Sequence, residues 1–166
     1  MRTYKIKKDK HRSGLHLGFT FGNKIEFEAE FDSACLYHLV GTDKYDINKL
    51  FGMSTSYHHH KNSCRFGWRC IDGENIEILA YVYVDGVRQT YLDNIILGTV
   101  KPNEKFHASI SIDKEKNKYV FSFNGNSFVE VDYKTAKLYT FKYKLYPYFG
   151  GNRTAPQKMK IKIRHM

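Results

Sequence analysis

The chain is poor in the features that would divide, cross-link or embed it. Its 166 residues hold only three prolines, so no Pro-rich linker is present, and no internal repeat or low-complexity segment marks a boundary. One undivided domain over residues 1–166 is expected, long enough to bury roughly 70% of the surface its unfolded chain exposes. The longest apolar run is Ile78–Val84, seven residues, where a membrane helix needs about 20. Three cysteines, Cys35, Cys64 and Cys70, are an odd number without CxxC spacing and read as small buried residues or reduced thiols, not as a disulfide framework. The basic start Met1–Lys5 is followed by no apolar stretch or small-residue cleavage site, so a cytoplasmic chain is expected. No segment keeps apolar residues at i, i+3, i+4 and i+7 for three turns, which excludes a helical fold.

What fills the chain is alternation of period two, the signature of half-buried strands. Strands are expected at the two termini and near 15–21, 25–31, 63–70, 76–84, 87–92, 106–112, 118–123, 127–131 and 138–149, with Asp43 to Leu50 a short helix or an irregular crossover. Val84-Asp85-Gly86-Val87 is the clearest hairpin, because both central residues of a type I′ turn need positive φ. Many short strands separated by such turns define an all-β, antiparallel sandwich or barrel.

Charge is concentrated at the ends. The formal net charge is +10, which alone suggests a polyanionic partner. Residues 1–12 carry six Lys or Arg against Asp9, residues 158–166 carry Lys158, Lys160, Lys162 and Arg164 with no acid, and the body between is close to neutral. That distribution disfavours a nucleic acid, which calls for cations spread through the fold. Each terminal segment has one basic face, and Glu26, Glu28 and Glu30 alternate to give one acidic face. Cross-strand ion pairing between them is the plain alternative to a basic binding patch.

The stretch Tyr146-Pro147-Tyr148-Phe149-Gly150-Gly151, followed by Ala155-Pro156-Gln157-Lys158-Met159 and the alternating Lys160 to Ile163, resembles the closing strands of concanavalin A-like jelly rolls, a superfamily of lectins, glucanases and polysaccharide lyases. The resemblance extends over residues 15–164 in strand order and spacing. It implies a single concanavalin A-like jelly-roll domain over 1–166, with two antiparallel sheets, one able to hold a ligand, and with the first and last strands side by side. The catalytic patterns of the superfamily are incomplete. Glucanases of this fold carry Glu-x-Asp-x-x-Glu, but here Glu30-Phe31-Asp32-Ser33-Ala34 is followed by Cys35, so the second carboxylate needed for double displacement is missing. Lyases of this fold use an Arg-rich strand, a Gln-x-His strand and a Tyr-x-Lys strand; no Gln-x-His occurs, and Tyr148-Phe149-Gly150 lacks the lysine. Gly-rich phosphate loops, GxSxG and HExxH are also absent, and no catalytic residue is assigned.

The densest polar cluster is Tyr57-His58-His59-His60-Lys61-Asn62-Ser63-Cys64-Arg65-Phe66-Gly67-Trp68-Arg69, with no acid before Asp72. Arg and Lys neutralise a carboxylate or phosphate, His donates hydrogen bonds and an aromatic ring stacks on a flat group. On a strand over 63–70, Arg65 and Arg69 share one face and Phe66 and Trp68 the other, so the arginines are expected at the surface, lining a groove. The candidate ligand site is Tyr57, His58, His59, His60, Lys61, Arg65 and Arg69, with Arg153 at its rim in the turn Gly150–Thr154. The His and Cys spacings match neither CxxC nor HxxxH, so neither a metal nor a cofactor is expected. Two functions follow: a non-enzymatic binder of a small anionic ligand, a nucleotide or phosphorylated sugar, sequestering a signalling nucleotide for example; or a glycan-directed jelly roll, lectin-like or a divergent lyase for acidic sugars. No membrane partner is expected, and a homo-oligomer stays open.

Overall fold

The computed structural model describes residues 1–89, 95–133 and 138–166. Among them the chain forms two antiparallel sheets. The six-stranded sheet runs in the order β1 (Arg2–Ile6), β13 (Met159–His165), β3 (Lys24–Phe31), β9 (Lys105–Asp113), β10 (Lys118–Phe123), β11 (Ser127–Asp132). The seven-stranded sheet runs β2 (Phe19–Thr20), β12 (Lys142–Leu145), β4 (Asn48–Ser54), β5 (Ser63–Cys70), β6 (Ile76–Val84), β7 (Val87–Arg88), with β8 (Ile96–Val100) also paired to β6. Among the described residues no helix is long and apolar enough to cross a membrane.

The alternation explains the layers. In β3, β9 and β10 every second side chain turns inward, and Phe27, Phe31, Phe106 and Phe121 meet Phe51, Phe66 and Trp68 from the opposing sheet. The rings pack edge-on or tilted, as their quadrupoles prefer: Phe27 lies 5.3 Å from Phe51 and 5.6 Å from Phe66, and Phe31 lies 5.1 Å from Trp68. Cys35, Cys64 and Cys70 are free and buried in this core.

The termini are neighbours: Arg2 stands opposite Ile163 in the β1–β13 pair. On its other side β13 pairs with β3, placing Lys162 opposite Glu30 and Arg164 opposite Glu28, at 2.6 and 2.5 Å between charged atoms. Those two terminal cations therefore neutralise Glu28 and Glu30, while Glu26 pairs with Lys24 and His107.

Five segments depart from the alternation reading. Asp43 to Leu50 divides into a 3₁₀ turn over Gly41–Tyr45 and the start of β4. β4 is buried at every position, because a bulge between Lys49 and Gly52 breaks its register with β5 and erases the period of two. Of 15–21 only Phe19–Thr20 pairs, and of 138–149 only Lys142–Leu145 forms a strand, with isolated bridges from Tyr148 to Arg12 and to Lys49. The strand expected over 87–92 pairs at Val87 and Arg88, and its positions 90–92 lie outside the described residues. β8 was not expected at all; Gly98 sits within it, where a side chain would strike the Phe123 ring.

Candidate functional site

The outer face of the seven-stranded sheet is built from register. One row across the strands reads Leu145, Gly52, Arg65, Tyr81. The next reads Phe19, Tyr143, Ser54, Ser63, Tyr83, Arg88. The loop between β4 and β5 folds back over the second row. His59 Nδ1 is hydrogen-bonded to the Tyr143 hydroxyl at 3.2 Å, and the His60 ring lies 5.4 Å from Tyr83. Ser54 and Ser63 are fully buried beneath it.

Beside this loop lies a cavity of about 480 Å³. Its charged wall is Arg12, Lys49, Arg65 and Arg88; His59, His60, Tyr81, Tyr83 and Tyr148 complete it with the backbone of Gly150 to Asn152. Among the described residues no lining side chain is a carboxylate. Gly150 has φ +93, and a Cβ there would overlap the Arg153 carbonyl, so only glycine allows the turn to close on this wall.

Arg65 is the centre of the site. Only 6% of it is exposed, no ion pair holds it among the described residues, and its Nε has no hydrogen-bond partner. Its guanidinium lies 5.1 Å from the Tyr81 ring centroid, with Lys49 at 5.0 Å and Arg88 at 5.9 Å from the same ring. Lys49 also donates to the Gly150 carbonyl. The stacked phenol offsets part of the desolvation of these cations. Burial nevertheless lowers the pKa of both Lys49 and Arg65.

The same charges act on their neighbours. Burial alone would raise the Tyr81 phenol; the Lys49 ammonium, a hydrogen bond with Tyr83 and the Arg88 and Arg65 guanidiniums outweigh it and bring the pKa below its ordinary value. His59 is pushed down to about 4, first by burial and then by the Arg65, His60 and His58 charges, so it is neutral at pH 7. His60 is lowered for the same reasons.

The sequence-derived candidates separate into three groups. His59, His60 and Arg65 line the cavity. Tyr57, His58 and Lys61 line a separate cavity of about 440 Å³ with Asn62, Asp85 and Tyr139, and Tyr57 is 90% exposed. Arg69 and Arg153 are engaged elsewhere: Arg69 pairs with its cross-strand neighbour Glu77 at 2.6 Å, and Arg153 with Asp43 at 2.6 Å. Arg65 is also buried where alternation had placed it at the surface, because the His loop and Tyr81 cover it. Arg12, Lys49, Tyr81, Tyr83, Arg88 and Tyr148 were missed. The alternation of β6 puts Tyr81 and Tyr83 on one face, and pairing β6 against β5 in antiparallel register would have brought both beside Arg65. No comparable signal marks Lys49, which lies next to the bulge.

No protein-family model matches the chain, and no curated protein matches it in sequence. Solved structures match its fold. Alginate lyase AlyC3 aligns with a TM-score of 0.60 at 14% identity, covering 99% of this chain and 74% of that one. An alginate lyase from Pseudomonas aeruginosa aligns at 0.52 and 13% identity, covering 86% of this chain, which spans 63% of that lyase. A Bacteroides ovatus mixed linkage glucan GH16 protein aligns at 0.53 and 10% identity, covering 99% of this chain and 80% of that one. The chain has the concanavalin A-like jelly-roll fold, as the resemblance of its closing strands implied.

Proposed function

We propose that the protein binds an acidic saccharide across the outer face of its seven-stranded sheet, with a uronate carboxylate held by Arg65. The observation that carries this is Arg65 itself: a buried guanidinium with an unpartnered Nε, opening on a cavity that no carboxylate lines among the described residues. A buried cation without an anion is costly, and an incoming carboxylate supplies the missing charge and hydrogen bonds. Arg12, Lys49 and Arg88 extend the positive wall, which suits a chain of several acids, and the tyrosines offer flat apolar faces between polar hydroxyls. A saccharide is preferred over the nucleotide favoured by composition because alginate lyase AlyC3, of the same fold, is also known in complex with dimannuronate.

Titration calorimetry with dimannuronate, neutral mannobiose and adenosine monophosphate tests the reading. Dimannuronate is expected to bind and mannobiose not, and Arg65→Leu is expected to weaken dimannuronate about ten- to a hundredfold. Arg69→Leu is expected to leave affinity unchanged, since that guanidinium is committed to Glu77. Binding of the nucleotide alone would overturn the assignment.

Tyr81 favours a second reading, as a lyase. A phenolate among three cations can take the proton from the carbon beside a uronate carboxylate; the glycosidic C–O bond then breaks, a C=C bond forms and the departing saccharide oxygen is protonated. Ultraviolet absorbance of the conjugated product during incubation with polymannuronate distinguishes this from binding alone, and Tyr81→Phe is expected to abolish it.

A further inference from the structure

The site has a second end of opposite character. A cavity of about 350 Å³ shares Arg12, His59, Arg65 and Tyr148 with the cationic one, so the two form one groove. Its far wall is Leu15, Leu17, Tyr143 and Leu145. Leu15 and Leu17 are 87% and 78% exposed, an expensive placement for two leucines in the segment that leads into β2. Their alternation partners are committed inward: His16 packs on the Tyr4 and Tyr146 rings, and a Cβ at Gly18 would overlap the Tyr146 hydroxyl. Leu15, Leu17 and Phe19 are therefore held outward as a row. Phe19 stands opposite Tyr143 and stacks on Phe141 at 4.7 Å, which continues the row onto the sheet edge. From β2 to β5 is three inter-strand spacings, about 14 Å.

We infer that this apolar row is a subsite for a non-polar substituent of the ligand, so that the molecule bound is an amphipathic acid: an acidic sugar over Arg65 carrying an aryl or acyl group over Leu15, Leu17, Phe19 and Phe141. The inference rests on the acidic-saccharide reading and adds to it the ligand's other half. Contiguity with the cationic cavity selects this occupant. A flat partner, such as a bilayer or a second copy of the chain, meets the rim at Phe19 and Phe141, whereas Leu15 and Leu17 wall the same cavity as Arg12 and Arg65. Hydroxylated sugar rings alone would leave those two leucines uncovered, while an apolar group removes them from water.

The probes are glucuronic acid, phenyl glucuronide, octyl glucuronide and neutral phenyl glucoside, titrated against the full chain. Phenyl and octyl glucuronide are expected to bind at least about tenfold more tightly than glucuronic acid, the gain from shielding part of one ring or chain. Leu17→Asp and Phe141→Ala are each expected to bring the phenyl glucuronide down towards the free acid. Both positions are exposed, and unchanged thermal midpoints will show that the variants fold. Equal affinity for glucuronic acid and phenyl glucuronide would overturn the apolar subsite and leave the acid site standing. Equal affinity for phenyl glucoside and phenyl glucuronide would overturn the acid site instead, and with it the amphipathic ligand. Sedimentation with vesicles of anionic lipid that Phe141→Ala abolishes, without any gain for the glucuronides, would assign the row to a membrane surface.

Discussion

Arg65 sets function against stability at a single residue. Its guanidinium is removed from water without an anion to meet it, so the folded state carries an electrostatic cost that only a ligand relieves. Arg65→Leu, which keeps the aliphatic bulk and deletes the charge, is expected to stabilise the fold by about 1 kcal/mol, a few degrees in Tm, while weakening acid binding. Thermal unfolding of wild type and variant checks it; a variant less stable than wild type would mean that the cation–π contacts with Tyr81 outweigh the desolvation. Composition and alternation made this arginine legible as a candidate on the outer face of β5. Its burial was not legible, because the covering groups come from three other segments, the His58–His60 loop, Tyr81 and Tyr143, and only sheet register brings these together.

His59 gives a pH dependence with a definite sign. Its pKa is held at about 4 in the fold against 6.5 for an ordinary imidazole. Between those values the unfolded chain takes up a proton that the folded chain refuses, so stability is complete above about pH 6.5 and declines as pH falls toward 4. His60 and His165 are shifted in the same direction. Chemical denaturation at a series of pH values is expected to show the decline, and His59→Asn to flatten it. An acid seated against Arg65 would oppose the downward shift, so ligand affinity is expected to rise over the same fall in pH.

At the scale of elements, the bulged strand β4 is what brings the site together. It carries Lys49 onto the outer face beside Tyr81 and Tyr148, and it passes Gly52 directly over the backbone of Arg65. A methyl group at Gly52 would overlap Arg65 Cα and Cβ and the Cys64 carbonyl, none of which is a flexible tip. Gly52→Ala is expected to cost about 2 kcal/mol or more and to displace Arg65; loss of stability measured by denaturant midpoint should accompany loss of acid binding. This element was the least legible in the sequence. Strands β3, β9 and β10 declare themselves because one face is more deeply buried than the other, whereas every residue of β4 is buried and no period survives. The same cause hid Lys49, a charged residue in a run that reads as neither strand nor helix.

Across the whole molecule, the two sheets divide the work. The six-stranded sheet neutralises part of the terminal charge through Lys162–Glu30 and Arg164–Glu28, and around the groove on the seven-stranded sheet no acid faces the cations among the described residues. Net charge alone pointed to the termini, and the structure shows why it misled: the cations that define the groove are fewer, and two of them, Lys49 and Arg65, are buried. The adjacency of β1 and β13 has one more implication. With Arg2 opposite Ile163, the two ends of the chain lie within reach of a short linker, on the six-stranded sheet. A circular permutant that joins them and opens instead at the exposed Asn124-Gly125 turn would keep every strand pairing around the groove while reordering the chain.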